Sequence, residues 1–351
     1  MDQHDYPLPA PVRGVPQLVA APQGRRSGPA VRCSGVTRGA SGACRSLRLT
    51  PGPGRRQAGA MITEGTPASG PRDERVDPHL GTIVHVVGSR QARPNLPSSG
   101  CPFCPGGLEA PDPYDVRWFR NRWPAMPGDR CEVVLYTSEH EATFWSLGVP
   151  GVRKVIDLWA ERSIELGRRD DVEFVLVFEN RGPEVGATIA HPHGQIYAYD
   201  HVPERPRRIF AAGWQPDPNP GDRAVAACGG WQAYVPHAPT YPVALTLAPR
   251  ERVPNLAALT EQGRDDLAGL LVDVFERLDT LHGRALPYMM WLMQAPTGGE
   301  WVEPWFQIEI VSPWRSAGVP RFIAAAEVAC GEFFNPVIPE VLAEQLRGLA
   351  P

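Results

Sequence analysis

The 351-residue chain contains a single lysine, Lys154, among 35 basic side chains. Arginine supplies the rest, which reads as a compositional bias rather than a physical demand for guanidinium. No stretch of 18 apolar residues occurs, so no membrane-spanning helix is expected. Cysteine is also scarce. The seven residues, at positions 33, 44, 101, 104, 131, 228 and 330, are odd in number and scattered apart from one close pair. This excludes a disulfide framework and fits a reducing cytoplasm with one metal site. A basic surplus is missing too: the formal net charge is −4, which excludes a globally basic nucleic-acid binder.

Glycine (35) and proline (40) are abundant, so much of the chain must be loop. They concentrate at the start. Residues 1–60 hold nine Arg, two acids, eight Pro and nine Gly without helical or strand periodicity, leaving −11 on the remainder. Such a segment cannot bury enough apolar surface to fold, so residues 1–74 are expected to form a disordered extension, with Met61 an alternative start. At 38.4 kDa the rest is long enough for a sizeable core.

Two stretches follow one plan. In the first, NRWPAM (121–126) leads to a strand at 131–136, a polar turn, an amphipathic helix over about 147–167 and an apolar strand at 172–180. In the second, PHAPTYP (236–242) leads to a strand at 243–249, a helix over 257–281 and strands at 287–296 and 305–313. A shift of 112 residues places Leu135 on Leu247, Phe144 on Leu256 and Leu147 on Leu259, an internal duplication. Leu267, Leu270, Leu271, Val274, Phe275 and Leu278 form one apolar stripe on the second helix. The expectation is an α+β fold: two duplicated halves, residues 75–201 and 231–348, joined by a Pro/Gly-rich linker at 202–230 into a largely antiparallel sheet with helices packed on it.

Two clusters carry chemistry. Cys101-Pro-Phe-Cys104, followed by Pro-Gly-Gly, brings two thiols onto one turn, as tetrahedral zinc requires. Two more ligands are needed, and His140 and His191 are the best candidates. His191-Pro-His193-Gly-Gln195 follows an apolar strand and a glycine-containing loop and opens a new strand, IYAY (196–199), so each half reads strand, helix, strand, strand. Residues i and i+2 of a strand share a face, so both imidazoles enter one site. With His191 on the metal, His193 is left as a nucleophile suited to attack on phosphorus.

The motifs SRQARPN (89–95), CPFCPGG (101–107), NRWPAM (121–126), SEHEATF (138–144), FENRGPEVGATIAHPHGQIYA (178–198) and SPWRSAGVPRFIAAAE (312–327) run in one order. On them the chain resembles the galactose-1-phosphate uridylyltransferases of the histidine-triad superfamily over about residues 75–348. The resemblance implies one zinc ion per chain on Cys101, Cys104, His140 and His191, a nucleophile at His193, and Gln195 as donor to the uridylyl phosphate. It places nucleotide contacts on Arg90, Arg93, Asn121, Asn180, Gly186 and Thr188. Sugar-phosphate contacts fall on Arg321, Phe322 and Glu327, with Ala326 where an aromatic residue is often found. It further implies UDP-glucose and galactose 1-phosphate as substrates in galactose metabolism, a double displacement through a uridylyl-histidine, and a homodimer in which one subunit completes the other's sugar pocket.

Where many relatives carry a second metal on histidines, this chain has Met293, Gln307 and Glu309. A thioether, an amide and one carboxylate make a poor site, so no second metal is expected. A zinc nucleoside deaminase is excluded by motif order, because CPFC precedes His140. Two alternatives stay open: a related nucleotidyltransferase or phosphorylase using another nucleoside diphosphate sugar, and a zinc-stabilised nucleotide-binding module without turnover.

Overall fold

The structure is a computed structural model that describes residues 73–88, 90 and 100–349. Residues 1–72 of the extension expected over 1–74, Met61 among them, lie outside the described residues, as does Arg93, whereas Asp73 and Glu74 begin the first strand.

In chain order the main elements are β1 (Asp73–Val76), β2 (Ile83–Val86), β3 (Arg117–Arg120), β4 (Cys131–Leu135), α1 (Gly148–Gly167), β5 (Phe174–Arg181), β6 (His193–Tyr199) and α2 (Glu204–Ala211). They continue with β7 (Ala224–Cys228), β8 (Trp231–Tyr234), β9 (Val243–Pro249), α3 (Glu261–Thr280), β10 (Tyr288–Met293), β11 (Gln307–Ser312), β12 (Trp314–Ser316), β13 (Val319–Pro320), α4 (Ala325–Cys330) and α5 (Pro339–Gly348). Nine strands form one sheet in the order β3-β4-β6-β5-β10-β11-β9-β8-β7. Every pairing is antiparallel.

Read inward from both sides, β3-β4-β6-β5 and β8-β9-β11-β10 are the same arrangement, and they meet where Phe178 of β5 pairs with Trp291 of β10. Each repeat is strand, strand, helix, strand, strand, one strand more than the apolar pattern suggests. The added strands are short. RWFR in β3 sets two adjacent aromatic residues between arginines, and WQAY in β8 is buried at all four positions, so neither shows apolar alternation.

The register also corrects the 112-residue shift. Val134 and Leu247 both join the core beneath the helices, whereas Leu135 packs on the opposite face. A one-residue slip exchanges the faces of a strand. β4 therefore maps onto β9 with Val134 on Leu247, and β5 onto β10 with Val177 on Met290. In β6 and β11, Ile196 takes the place of Ile310, so His193 and Gln195 fall on Gln307 and Glu309.

α1 and α3 lie on one face. α1 turns Val152, Val155, Ile156 and Trp159 toward the sheet, and α3 turns Leu267, Leu271, Val274 and Leu278. Thr260 caps α3 by accepting from the amide of Gly263 at 3.0 Å. Phe275 of α3 packs against Phe144 and Tyr288, with ring centroids 4.9 and 4.8 Å apart. Truncating such a fully buried aromatic costs roughly 3–5 kcal/mol.

The opposite face is covered differently in the two halves. In the first half, Phe103 and Ala110 pack on Val133 and Leu135. In the second, α2 takes that place: Phe210 packs with Phe174 and Met293, and Arg205 pairs with Glu309 at 2.7 Å while standing over the Trp291 ring. The segment expected to be a linker, 202–230, thus carries α2 and β7. Its Pro203 precedes the helix and its glycines fall at the turns, so a loop-like composition coexists with a helix.

Candidate active site and metal centre

The Cys101–Cys104 turn is closed by backbone bonds from Gly107 to Cys104 (2.8 Å) and from Glu109 to Pro102 (2.9 Å). A Cβ at Gly107 would lie 2.6 Å from the Cys101 carbonyl, so only glycine fits. His140 reaches the turn from the segment after β4, and His191 from the residues leading into β6. The four ligand atoms of Cys101, Cys104, His140 and His191 all lie within 4.8 Å of one another, the one such group among the described residues. Cys104 Sγ is 3.4 Å from His140 Nδ1 and 3.6 Å from His191 Nδ1. Bonds of about 2.3 Å to sulfur and 2.0–2.1 Å to nitrogen produce separations of this size around one tetrahedral ion.

The surroundings prepare His191 as a ligand. Its Nε2 lies 2.8 Å from the Thr137 carbonyl, which can only accept, so Nε2 carries the proton and Nδ1 the lone pair. The Tyr114 hydroxyl lies 2.9 Å from the same Nε2 and donates to the Phe103 carbonyl at 2.6 Å. His191 is fully buried, and burial lowers its pKa, favouring the neutral ring. Burial, followed by the neighbouring Cys101, holds the Cys104 thiol above its usual range; a bound cation acts in the opposite direction.

His193 begins β6, opposite Leu135 of β4. Its Nδ1 lies 2.7 Å from the carbonyl oxygen of His191. Because that oxygen only accepts, Nδ1 is protonated and Nε2 carries the lone pair. Phe103 stands edge-on to the ring at 5.0 Å. Gln195, two residues on, shares this face, and its Oε1 accepts from Asn121 Nδ2 at 3.3 Å. Asn121 is itself fixed by accepting from the amide of Trp123 at 2.8 Å.

A cleft of about 760 Å³ is lined by the 100–109 turn, Asn121, Thr188, His193 and Gln195. A second cavity, of about 370 Å³, shares Thr188, Ile189 and His193 with it and adds Glu179, Asn180, Tyr136 and Tyr288. Asn121, Asn180, Thr188, His193 and Gln195 are thereby brought together. Gly186 lies on the same loop with φ +84°, closing a turn after Pro183.

Other expected residues lie elsewhere. Arg90 lines neither cavity; its charge is felt at Cys131. Arg321, Phe322 and Glu327 do not line them either. Arg321 pairs with Glu327 and donates to the carbonyls of Thr240 (3.0 Å) and Phe334 (3.1 Å). Glu327 accepts from the amides of Ala324 (2.8 Å) and Phe334 (2.9 Å), and Phe322 is 80% exposed. Glu179, Tyr136 and Tyr288, which line the second cavity, are not among the site residues expected from the motifs. The signal was Glu179 itself, a carboxylate inside an apolar strand and so an expensive choice unless partnered.

Two family models match: galactose-1-phosphate uridyl transferase, N-terminal domain, at residues 123–203, and its C-terminal domain at 193–351. The galactose-1-phosphate uridylyltransferase of Thermotoga maritima is 32% identical over 308 residues, covering 78% of this chain and 97% of the relative. That of Streptomyces lividans is 34% identical over 314 residues, covering 79% and 86%. A solved uridylyltransferase structure superposes with a TM-score of 0.72 at 27% identity, covering 79% of this chain and 98% of its own. An ADP-glucose phosphorylase from Arabidopsis thaliana shares the fold, with a TM-score of 0.63 at 20% identity over 79% and 98%. The duplicated sheet, the cysteine–histidine cluster and the His-Pro-His-Gly-Gln strand therefore belong to a member of the galactose-1-phosphate uridylyltransferase family.

Proposed function

We propose that this enzyme moves UMP from UDP-glucose to galactose 1-phosphate by double displacement at His193. Nε2 attacks the α-phosphorus, the bond from that phosphorus to the bridging oxygen breaks, and glucose 1-phosphate leaves with the electron pair. The resulting uridylyl-imidazolium keeps its Nδ1 proton on the His191 carbonyl. A phosphate oxygen of galactose 1-phosphate then attacks the same phosphorus, forming UDP-galactose and returning neutral His193. The observation that carries this reading is the 2.7 Å contact between His193 Nδ1 and the His191 carbonyl, which selects the tautomer with a nucleophilic Nε2.

Gln195 donates to the uridylyl phosphate as charge develops there. Its Oε1 is engaged by Asn121, which leaves the amide nitrogen as the donor. Asn121, Asn180, Gly186 and Thr188 surround the nucleotide, with Arg90 and Arg93 contributing positive charge. One zinc ion on Cys101, Cys104, His140 and His191 supplies a rigid anchor for the backbone that His193 leans on.

The enzyme works as a cytoplasmic homodimer. Arg321, Phe322 and Glu327, which line neither cavity of their own chain, serve the partner's sugar phosphate. Phe322 at 80% exposure, with Val328, Phe334 and Ile338 also exposed, supplies an apolar surface suited to burial against a second copy. Exchange assays with a panel of nucleoside diphosphate sugars and sugar 1-phosphates test the substrate pair. Preference for another nucleotide or sugar overturns it.

A further inference from the structure

Behind the nucleophile, on the helix side of the sheet, lies a group of buried polar residues that the transfer chemistry does not use. Glu179 of β5 is 4% exposed, and its Oε1 accepts from the hydroxyl of Tyr288 in β10 at 2.7 Å. Its Oε2 has no hydrogen-bond partner. The hydroxyl of Tyr136, just past β4, is likewise buried without one, although the two groups are close enough for each to shift the other's ionisation. Apolar residues of similar shape would fill this space without two unpaired polar atoms, so packing alone does not account for the choice.

The Tyr136 hydroxyl is pressed against the catalytic strand. A Cβ on Gly194 would lie 2.1 Å from it and 3.0 Å from Tyr136 Cζ. Tyr136 also donates its amide to the Pro192 carbonyl at 3.3 Å. One residue therefore meets the backbone on both sides of His193, its hydroxyl at Gly194 and its amide at Pro192. Its ring is held by Phe144 and Trp159, edge-on at 5.4 and 5.7 Å. Glu179, Tyr136, Tyr288 and His193 all line the same cavity of about 370 Å³.

We propose that Glu179 is a positioning residue for His193, acting through Tyr136 on the Pro192–Gly194 backbone, with Tyr288 of the second half holding the carboxyl in place. The inference rests on the reading of His193 as nucleophile. The other charged groups felt at this carboxyl are Arg181 at the end of β5 and Asp279 of α3, which pair with each other at 2.8 Å. Burial pushes the Glu179 carboxyl up to about 7 and the Tyr136 hydroxyl well above its ordinary value, so the hydroxyl keeps its proton beside the carboxyl. This assigns the second half a role: it has no counterpart of the nucleophile, but its Tyr288 braces the first half's catalytic strand.

Single-turnover labelling of the full chain by UDP-glucose alone, read by mass spectrometry, tests this in wild type, Glu179→Gln and Tyr136→Phe. Both variants should take up UMP at least about tenfold more slowly at saturating UDP-glucose, because small displacements of a nucleophile are costly. The half-saturating concentration should stay within about twofold, since the nucleotide contacts are untouched. Wild-type rates in both variants overturn the proposal, as does a loss confined to the half-saturating concentration. If Glu179→Gln does not fold, Tyr136→Phe, which keeps the ring packing, carries the test alone. Absence of label on wild-type His193 instead overturns the nucleophile assignment on which the inference stands.

Discussion

The ring of His191 joins the cluster of Cys101, Cys104 and His140, while its backbone carbonyl accepts from Nδ1 of His193 at 2.7 Å. One residue thus couples the cysteine–histidine cluster to the proposed nucleophile. Changes at the cluster should be felt two residues away.

Cys101→Ser replaces a sulfur ligand with a hydroxyl, a poor zinc ligand. Zinc content should fall from about one ion per chain to near zero, and unfolding should become easier by roughly 2 kcal/mol or more, since metal binding adds to folding free energy. Atomic absorption and urea titration read both. Unchanged zinc would remove Cys101 from the ligand set.

Gly194→Ala forces a methyl group toward the Tyr136 hydroxyl. Overpacking of this kind costs about 1–3 kcal/mol, and transfer activity should fall with it. Adding Tyr136→Phe removes the nearest atom, leaving Cζ at 3.0 Å, so part of the lost stability should return. A double variant no more stable than Gly194→Ala would place the collision elsewhere.

Stability should report the Glu179 carboxyl. Its pKa is raised from 4.5 to about 7, so its contribution is fully present below about 4.5 and is lost as pH rises through about 7. Glu179→Gln does not titrate. Relative to wild type it should gain up to about 3 kcal/mol between pH 5 and pH 8, at 1.36 kcal/mol per unit. Urea titrations at both values check this, and an equal difference at the two would refute it.

Subunit mixing tests whether Arg321 serves the neighbouring chain. His193→Ala and Arg321→Ala should each be nearly inactive alone. Mixed dimers rebuild one intact site of two, so an equal mixture should recover about a quarter of wild-type activity. No recovery in verified heterodimers would confine Arg321 to its own chain.

Much of this was legible along the sequence. The repeats show in Val243–Pro249 and in the Leu267–Leu278 stripe, and the site in His191-Pro-His193 and Cys101–Cys104, because local periodicity and short spacing record them. The Glu179–Tyr288 bond, 109 residues apart in sequence, depends on how the distant strands β5 and β10 meet. α2 was hidden because its burial over Met293 and Trp291 comes from the second half, while its own composition is that of a loop.

The most direct test is to incubate the protein with UDP-glucose alone and analyse it by intact-mass and peptide mass spectrometry. UMP should be found on His193 in an acid-labile phosphoramidate, with glucose 1-phosphate released in equal amount and His193→Ala unlabelled. Transfer activity without any covalent adduct, or full activity in His193→Ala, would contradict a double displacement at this residue.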